Sequence, residues 1–531
     1  MTKTPKTILL LAVNARYTHS NPALYYLRNY CVGTGANFVI REYSIKASPE
    51  NIIDEIQNTR PHVVALSVYI WNSKYMEKLL PMLTSLSPKP VIVCGGPEVS
   101  YNPESWIDRH PGIDYIVCGP GEAGFCHLVE NEFNVDEKII RKANPHFNEI
   151  PYPYRPEDRD RLSRRYVYYE TSRGCPFRCG YCISSREDQQ LQFKDFSTVK
   201  NEMDQLLAMN PGVVKLVDRT FNAGSKHARA IWHYLIEKNP QARFHFEIYP
   251  GLLKEEDLRL LEKVPAGLFQ FEIGVQSLNN RSLEAVSRPP VKESHLDGVR
   301  HLLEHTGIHV HLDLMAGLPH DTLKSLANSF NVLYGIKPHH LQLGFLKLLP
   351  GTAMREQAET LSLFYSAEPP YEIQETPWIS SEEMNMLHHI EGLVNSLFNS
   401  GYFPITLPEL EDLHSNENYF HMYKSLALFW KSKELNTDEK DGGMLSSGLL
   451  AYIQEHFPAK YIFFRDCLRM DWIGRTGNMR YPKSIQGERH PAEIRGALGD
   501  TVGKDPVFAA DSEEFSVKYM SGIEYKILKK G

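Results

Sequence analysis

Twice along the chain, short apolar runs alternate with stretches of helical period, and this alternation constrains the fold more than any other feature. In residues 1–140 the runs are ILLLAV (8–13), VVALSVYI (63–70), VIVCGG (91–96) and YIVCG (115–119). Each is short and has no polar face, as in strands covered on both sides. Between them, PALYYLRNYCV (22–32), ENIIDEIQNT (50–59) and SKYMEKLLPMLTSL (73–86) read as helices. The alternation predicts a doubly wound parallel sheet with helices on both faces. Ligands of such sheets sit at the strand carboxyl ends, where this sequence places NARYTHSNP, SVYIWN, GGPE and GPGE.

Residues 141–165 are rich in proline and charge, lack periodicity and read as a linker. A second series occupies 166–365, with candidate strands YVYYETS (166–172), VVKLVD (213–218), RFHFEIY (243–249), LFQFEIGVQS (268–277), HVHLDLMAG (309–317) and HLQLGFL (340–346). Six βα units predict a partial (β/α)6 barrel, again with chemistry at the strand carboxyl ends. From 366 to 531 the alternation stops, and a mainly helical accessory domain is expected, with helices at 381–401 and 418–435 and some strand at 515–530. Trp378, Phe420, Tyr423 and Trp430 could line a pocket there, although aromatics at helical spacing more often form core.

A length of 531 residues suggests roughly three domains. With 42% hydrophobic and 23% charged residues the composition is that of a soluble globular protein, and a net charge of −7 gives no global reason to bind nucleic acid or an anionic membrane. No run approaches the ~20 apolar residues of a membrane span. The amino-terminal ILLLAV is too short for the apolar part of a signal peptide and lacks a cleavage site, so a cytoplasmic enzyme is expected. Five of the eight cysteines (31, 94, 118, 126 and 467) are scattered, which is no disulfide framework.

The other three lie together in ETSRGCPFRCGYC (170–182), directly after a candidate strand. Cys175, Cys179 and Cys182 have the spacing C-x3-C-x2-C. Three thiolates on one loop can bind three irons of a cubane; ordinary clusters use four, so one iron stays open, as a catalytic metal requires. The alternatives are a zinc site and chance. Structural zinc needs four ligands, and no cysteine pair or finger-spaced histidine follows.

This string, with the aromatic Tyr181 before its last cysteine, resembles the signature of the radical SAM superfamily. The resemblance spans about residues 166–365. It implies a [4Fe-4S] cluster whose open iron chelates S-adenosylmethionine (SAM) and whose electron splits it to a 5′-deoxyadenosyl radical. LVDRTFN (216–222) resembles the segment that meets the amino end of SAM; the usual glycine pair is absent, and Asp218, Arg219, Thr220 and Asn222 offer polar groups. FEIGVQS (271–277) looks like the ribose-contacting motif, with Glu272 and Gln276 as its polar members. HLDLMAGLP (311–319) resembles the fifth-strand segment that packs on the adenine, with Leu314 as the expected contact, and LKLLPGT (346–352) resembles the sixth-strand ending. Glu247 in FHFEIYP is expected at the barrel mouth, the alternative being a solvated loop edge.

A doubly wound domain before such a barrel resembles the Rossmann-like cobalamin-binding domain of the B12-dependent radical SAM class. The resemblance implies cobalamin between domain and barrel, near Ser67, Tyr69, Trp71, Gly95, Gly96, Glu98, Gly119, Gly121 and Glu122. The D-x-H-x-x-G motif that supplies an axial histidine in other cobalamin proteins is missing; the loop reads NARYTHS (14–20), and His19 is expected to be a loop or surface residue. Methyl transfer to an unactivated centre is the commonest use of this cofactor pair. The alternatives are a radical SAM oxidoreductase or cyclase and a non-enzymatic iron–sulfur sensor. The class implies a small-molecule or peptide substrate and an electron donor such as flavodoxin or ferredoxin.

Overall fold

The computed structural model describes residues 5–185, 190–414, 418–477, 480–487 and 511–512. The first sheet has six strands: β1 (Thr7–Asn14), β2 (Asn37–Ser44), β3 (Val63–Ser67), β4 (Val91–Gly95), β5 (Tyr115–Val117) and β6 (Ile139–Ile140). All pairs are parallel, in the order β2-β1-β3-β4-β5-β6. The order reverses between β1 and β3, the switch point at which such sheets open a ligand crevice. Along β1, Ile8, Leu10 and Ala12 join one apolar cluster and Leu9, Leu11 and Val13 the other. Helices α1 (Pro22–Tyr30) and α4 (Gly121–Glu130) cover the first face; α2 (Pro49–Thr59) and α3 (Ser73–Thr84) cover the second. Asn21 starts α1 by accepting from the Ala23 N–H, and Pro22 fills the first turn.

The second sheet contains β7 (Tyr166–Tyr169), β8 (Val213–Leu216), β9 (Arg243–Ile248), β10 (Phe269–Gln276), β11 (His309–Ala316) and β12 (His340–Phe345). They are parallel and neighbour one another in chain order, a partial (β/α)6 barrel. Helices α5 (Phe196–Ala208), α6 (Ser225–Lys238), α7 (Glu293–His305) and α8 (Leu323–Gly335) form its outer layer. On β10 and β11 burial alternates strictly. Phe269, Phe271, Ile273 and Val275 face the helices, Phe271 lying 5.7 Å from Trp232 of α6. Gln270, Glu272 and Gln276, with His309, His311 and Asp313, share the opposite, luminal face.

Beyond the barrel the chain is helical: α9 (Ser381–Leu393), continued by a π-helical turn (Val394–Asn399), then α10 (Tyr419–Ser432), α11 (Gly442–His456) and α12 (Tyr461–Thr476). Asn399 closes the outer edge of β12, accepting from Leu341 N–H and donating to Leu341 O, both at 2.9 Å. That contact satisfies backbone an edge strand would otherwise expose. Phe420, Tyr423 and Trp430 are buried core, Tyr423 meeting Tyr334 of α8 through their hydroxyls at 3.3 Å. The strand expected at 515–530 lies outside the described residues.

The segment expected as a linker is packed rather than loose. Phe147 and Ile150 bury against Tyr26, and Asp158 forms a buried ion pair with Arg28, Nη1 to Oδ1 2.9 Å. The domains join where Tyr166 N–H donates to Thr18 O and the Ser20 hydroxyl to Tyr166 O, each at 2.6 Å. No helix among the described residues is long and apolar enough to cross a membrane.

Candidate functional site

The cysteine loop leaves the carboxyl end of β7. Gly174 has φ +95°, and a Cβ there would lie 2.6 Å from Gln190 O, so only glycine fits. Asp218, following β8, accepts from Thr171 N–H (3.0 Å) and from the Thr171 and Ser172 hydroxyls (2.6 Å each). Further on, Gly180 N–H donates to Val286 O and Met354 N–H donates to Gly180 O. Cys182 N–H donates to Cys179 O at 3.0 Å, which curls the two thiols around one turn. Cys175 Sγ lies 3.5 Å from Thr220 Oγ1.

Arg288 Nη1 stands 3.6 Å from Cys179 Sγ and 3.3 Å from the Tyr181 hydroxyl. Burial pushes the Cys179 thiol up, and the guanidinium opposes that shift. Among the described residues, no three Cys, His, Asp or Glu side chains converge on a single ion. The other five cysteines are buried elsewhere in the fold.

Within the lumen Glu247 and Glu272 are register partners on adjacent strands. Glu272 meets His245 Nε2 at 2.9 Å, and this contact holds its carboxyl below the usual range. Burial pushes Glu247 up to about 7. Asp313 is raised by burial and then by those two carboxylates, and its Oδ1 is buried without a hydrogen-bond partner among the described residues. Gln276 ends β10 at φ +72°, where the register with β11 shifts.

Three expected contacts are placed otherwise. Leu314 is 1% exposed on the helix-facing side of β11, because period-two alternation gives the lumen to Asp313 and Met315. Asp218 is consumed by the cysteine loop. Asn222 is 2% exposed and consumed by Tyr249, whose backbone N–H and C=O it bonds at 3.0 and 2.9 Å. Both act through the loops they fix. Asp313 could have been found by counting twos along β11. Arg288, after a short helix, carries no motif.

Between the two domains lies a cavity of about 660 Å³. Ser67, Tyr69, Trp71, Gly95, Gly96, Gly119, Gly121 and Glu122 line it from the first sheet, and Tyr168, Glu170, Arg173, Ser184 and Arg219 from the barrel. A Cβ on Gly96 (φ +112°) would lie 2.5 Å from Val68 O, which fixes glycine at this wall. Tyr69 and Trp71 stack at 4.3 Å and 11°, presenting a flat aromatic surface. Glu98 is outside the lining: its buried carboxylate accepts from the Tyr371 hydroxyl. His19 lies in the loop after β1 and is half-buried; it lines the cavity with its ring bonded to the Tyr168 hydroxyl, and burial lowers its pKa.

A family model described as a B12 binding domain matches residues 8–129, one described as the radical SAM superfamily matches 169–333, and one for a protein of unknown function matches 359–498. The cobalamin-dependent radical SAM methyltransferase TokK of Streptomyces tokunonensis is 24% identical, over 55% of this chain and 48% of its own length. The 2-(S-pantetheinyl)-carbapenam-3-carboxylate methyltransferase of Streptantibioticus cattleyicolor is also 24% identical, over 54% and 47%. The chain thus spans about half the length of both relatives. In fold it matches TsrM from Kitasatospora setae, a radical S-adenosylmethionine methyltransferase solved with cobalamin and a [4Fe-4S] cluster, at TM-score 0.60 and 15% identity over 89% of this chain and 100% of that one. It matches the cobalamin-dependent radical enzyme OxsB, solved with aqua-cobalamin, at TM-score 0.60 and 14% identity over 88% and 79%. The cysteine loop, the open barrel and the preceding sheet with its cavity make one consistent set with these matches: the chain carries a B12 binding domain followed by a radical SAM domain, which imply cobalamin and a [4Fe-4S] cluster with SAM as cofactors.

Proposed function

We propose that this enzyme transfers a methyl group from SAM, by way of cobalamin, to an unactivated centre of a small molecule. The observation that carries this reading is a cavity walled both by the strand ends of the B12-binding domain and by the end of β7 with the start of the cysteine loop. Bound there, cobalamin supplies a methyl carrier and the SAM-loaded cluster a radical initiator. Cys175, Cys179 and Cys182 hold the cluster. Glu247, Glu272, Gln276 and Asp313 offer polar groups to SAM from the lumen, with Tyr181 and Arg288 at the cluster's edge. The Tyr69–Trp71 stack and the glycines at 95, 96, 119 and 121 give a flat ligand close backbone approach. The packed seam between the domains excludes water from the reacting centre. A reductant such as flavodoxin or ferredoxin supplies the electrons.

Anaerobic reconstitution with iron, sulfide, hydroxocobalamin and SAM, followed by addition of a low-potential reductant such as reduced flavodoxin, tests this, with mass spectrometry for 5′-deoxyadenosine and S-adenosylhomocysteine. Both products are expected. A second reading, ring closure or oxidation without methyl transfer, is favoured by one relative, the anaerobic magnesium-protoporphyrin IX monomethyl ester cyclase of Cereibacter sphaeroides, 20% identical over 55% of this chain. That reading yields 5′-deoxyadenosine without S-adenosylhomocysteine.

A further inference from the structure

We propose that Arg173 is a positioning residue that couples occupancy of the interdomain cavity to the reduction potential of the cluster. The inference rests on the placement of cobalamin in that cavity and of the cluster on the three cysteines. Arg173 precedes Cys175 by two residues and takes one carboxylate from each domain. Its Nε donates to Glu170, just after β7, at 2.9 Å, and its Nη2 donates to Glu122, in the first turn of α4, at 3.0 Å. The guanidinium also lies against the rings of Tyr26 and Phe147, at 5.9 and 5.1 Å. Glu122 is 5% exposed, and its second oxygen has no hydrogen-bond partner among the described residues, so Arg173 is what balances that buried charge.

The mechanical path is short. Ser172–Arg173 pairs antiparallel with Gln192–Phe193, and Gly174 sits against the Gln190 backbone. A shift of Arg173 therefore passes into the segment bearing Cys175 instead of being absorbed by slack. At the other end, Glu122 closes the Gly119–Glu122 turn that forms one cavity wall. A ligand packed on that turn changes how fully Glu122 neutralises Arg173. Charge beside the cluster ligands is one of the factors that sets a cluster's potential. By linkage, reduction of the cluster must change cobalamin affinity by the same factor.

The test is a redox titration of the full chain, followed by the electron paramagnetic resonance of the reduced cluster, without cobalamin and at saturating hydroxocobalamin. A coupling on the order of tenfold is expected, about 59 mV for a one-electron couple. Glu122→Gln and Arg173→Lys should each remove more than half of that shift while retaining iron. A wild type without a shift overturns the proposal, as do variants that keep the whole shift; in the latter case cobalamin acts on the cluster directly through space. Loss of cobalamin or cluster from the wild type would instead reject the underlying cofactor placement.

Discussion

The two sheets are built from the same alternation of strand and helix, yet they use their faces differently. In the first, β1 is buried from Ile8 to Asn14 and sends apolar side chains both ways. Helices cover both faces, so ligand chemistry is confined to the strand ends. In the second, β10 and β11 bury every other residue and leave Gln270, Glu272, His309, His311 and Asp313 on an inner face. A partial barrel has helices on one side only, and its polar lumen can hold a ligand along the strands as well as at their tips. The difference teaches that a strand's burial period, and not its length or composition, decides where the chemistry goes.

The largest expected effect breaks the comparison at the cysteines. Cys175→Ala, Cys179→Ala or Cys182→Ala should abolish iron binding and the thiolate-to-iron charge-transfer absorption. Cys94→Ala and Cys118→Ala, in the first sheet, should leave iron content at the wild-type level. An essential cysteine in the first sheet would reject the three-ligand loop.

Stability sharpens the contrast next. Leu10 is fully buried in β1, so Leu10→Ala should cost about 2–5 kcal/mol in denaturant unfolding. Gln270→Ala on the luminal face of β10 should stay within about 0.5 kcal/mol. Equal losses at both positions would mean that the lumen is packed like the first sheet.

Acid should destabilise the barrel through two histidines of its luminal face. His309 and His311 lie 4.8 Å apart ring to ring, and burial lowers them from 6.5 to about 4 and about 3. Between those values the unfolded chain binds protons that the folded chain refuses, so stability falls as the pH drops below about 6.5 and the loss is complete near pH 3. His309→Gln with His311→Gln should flatten that acid limb in thermal melts recorded across pH. An unchanged limb would place the sensitivity elsewhere.

The smallest effect concerns SAM itself. Glu272→Ala or Gln276→Ala should keep the cluster and weaken SAM binding roughly tenfold to a hundredfold, the worth of a ~1–3 kcal/mol polar contact. Unchanged affinity in both would remove them from the pocket.

The barrel strands, four of the six strands of the first sheet, the helical character of the last region and the cysteine loop were legible in the sequence, because burial period and tight spacing are local signals; β2 is mostly half-buried and the two-residue β6 is too short, so neither makes an apolar run. Partners brought from afar were not. Asp218 is polar at a strand end, as a ligand contact would be, yet its partners Thr171 and Ser172 lie some 46 positions back. Glu98 is claimed by Tyr371 across 273 positions. His19 departs from a known motif, but its place in the cavity wall comes from Tyr168, on another domain. Leu314 was within reach: two positions from Leu312 and one from Asp313 and Met315 in period two, it had to share the face of Leu312 and not that of Asp313.

The most direct test is whether cobalamin sits against the cluster in the cavity, with no histidine beneath it. The full chain, carrying cluster and hydroxocobalamin and recovered from gel filtration, would be reduced and its Co(II) resonance recorded beside that of the Cys175→Ala variant. Expected are retained cobalamin, no nitrogen coupling from a protein imidazole, and Co(II) relaxation that is faster with the cluster than without it. Cobalamin that elutes free, an imidazole coupling, or identical relaxation in the two proteins would contradict that placement.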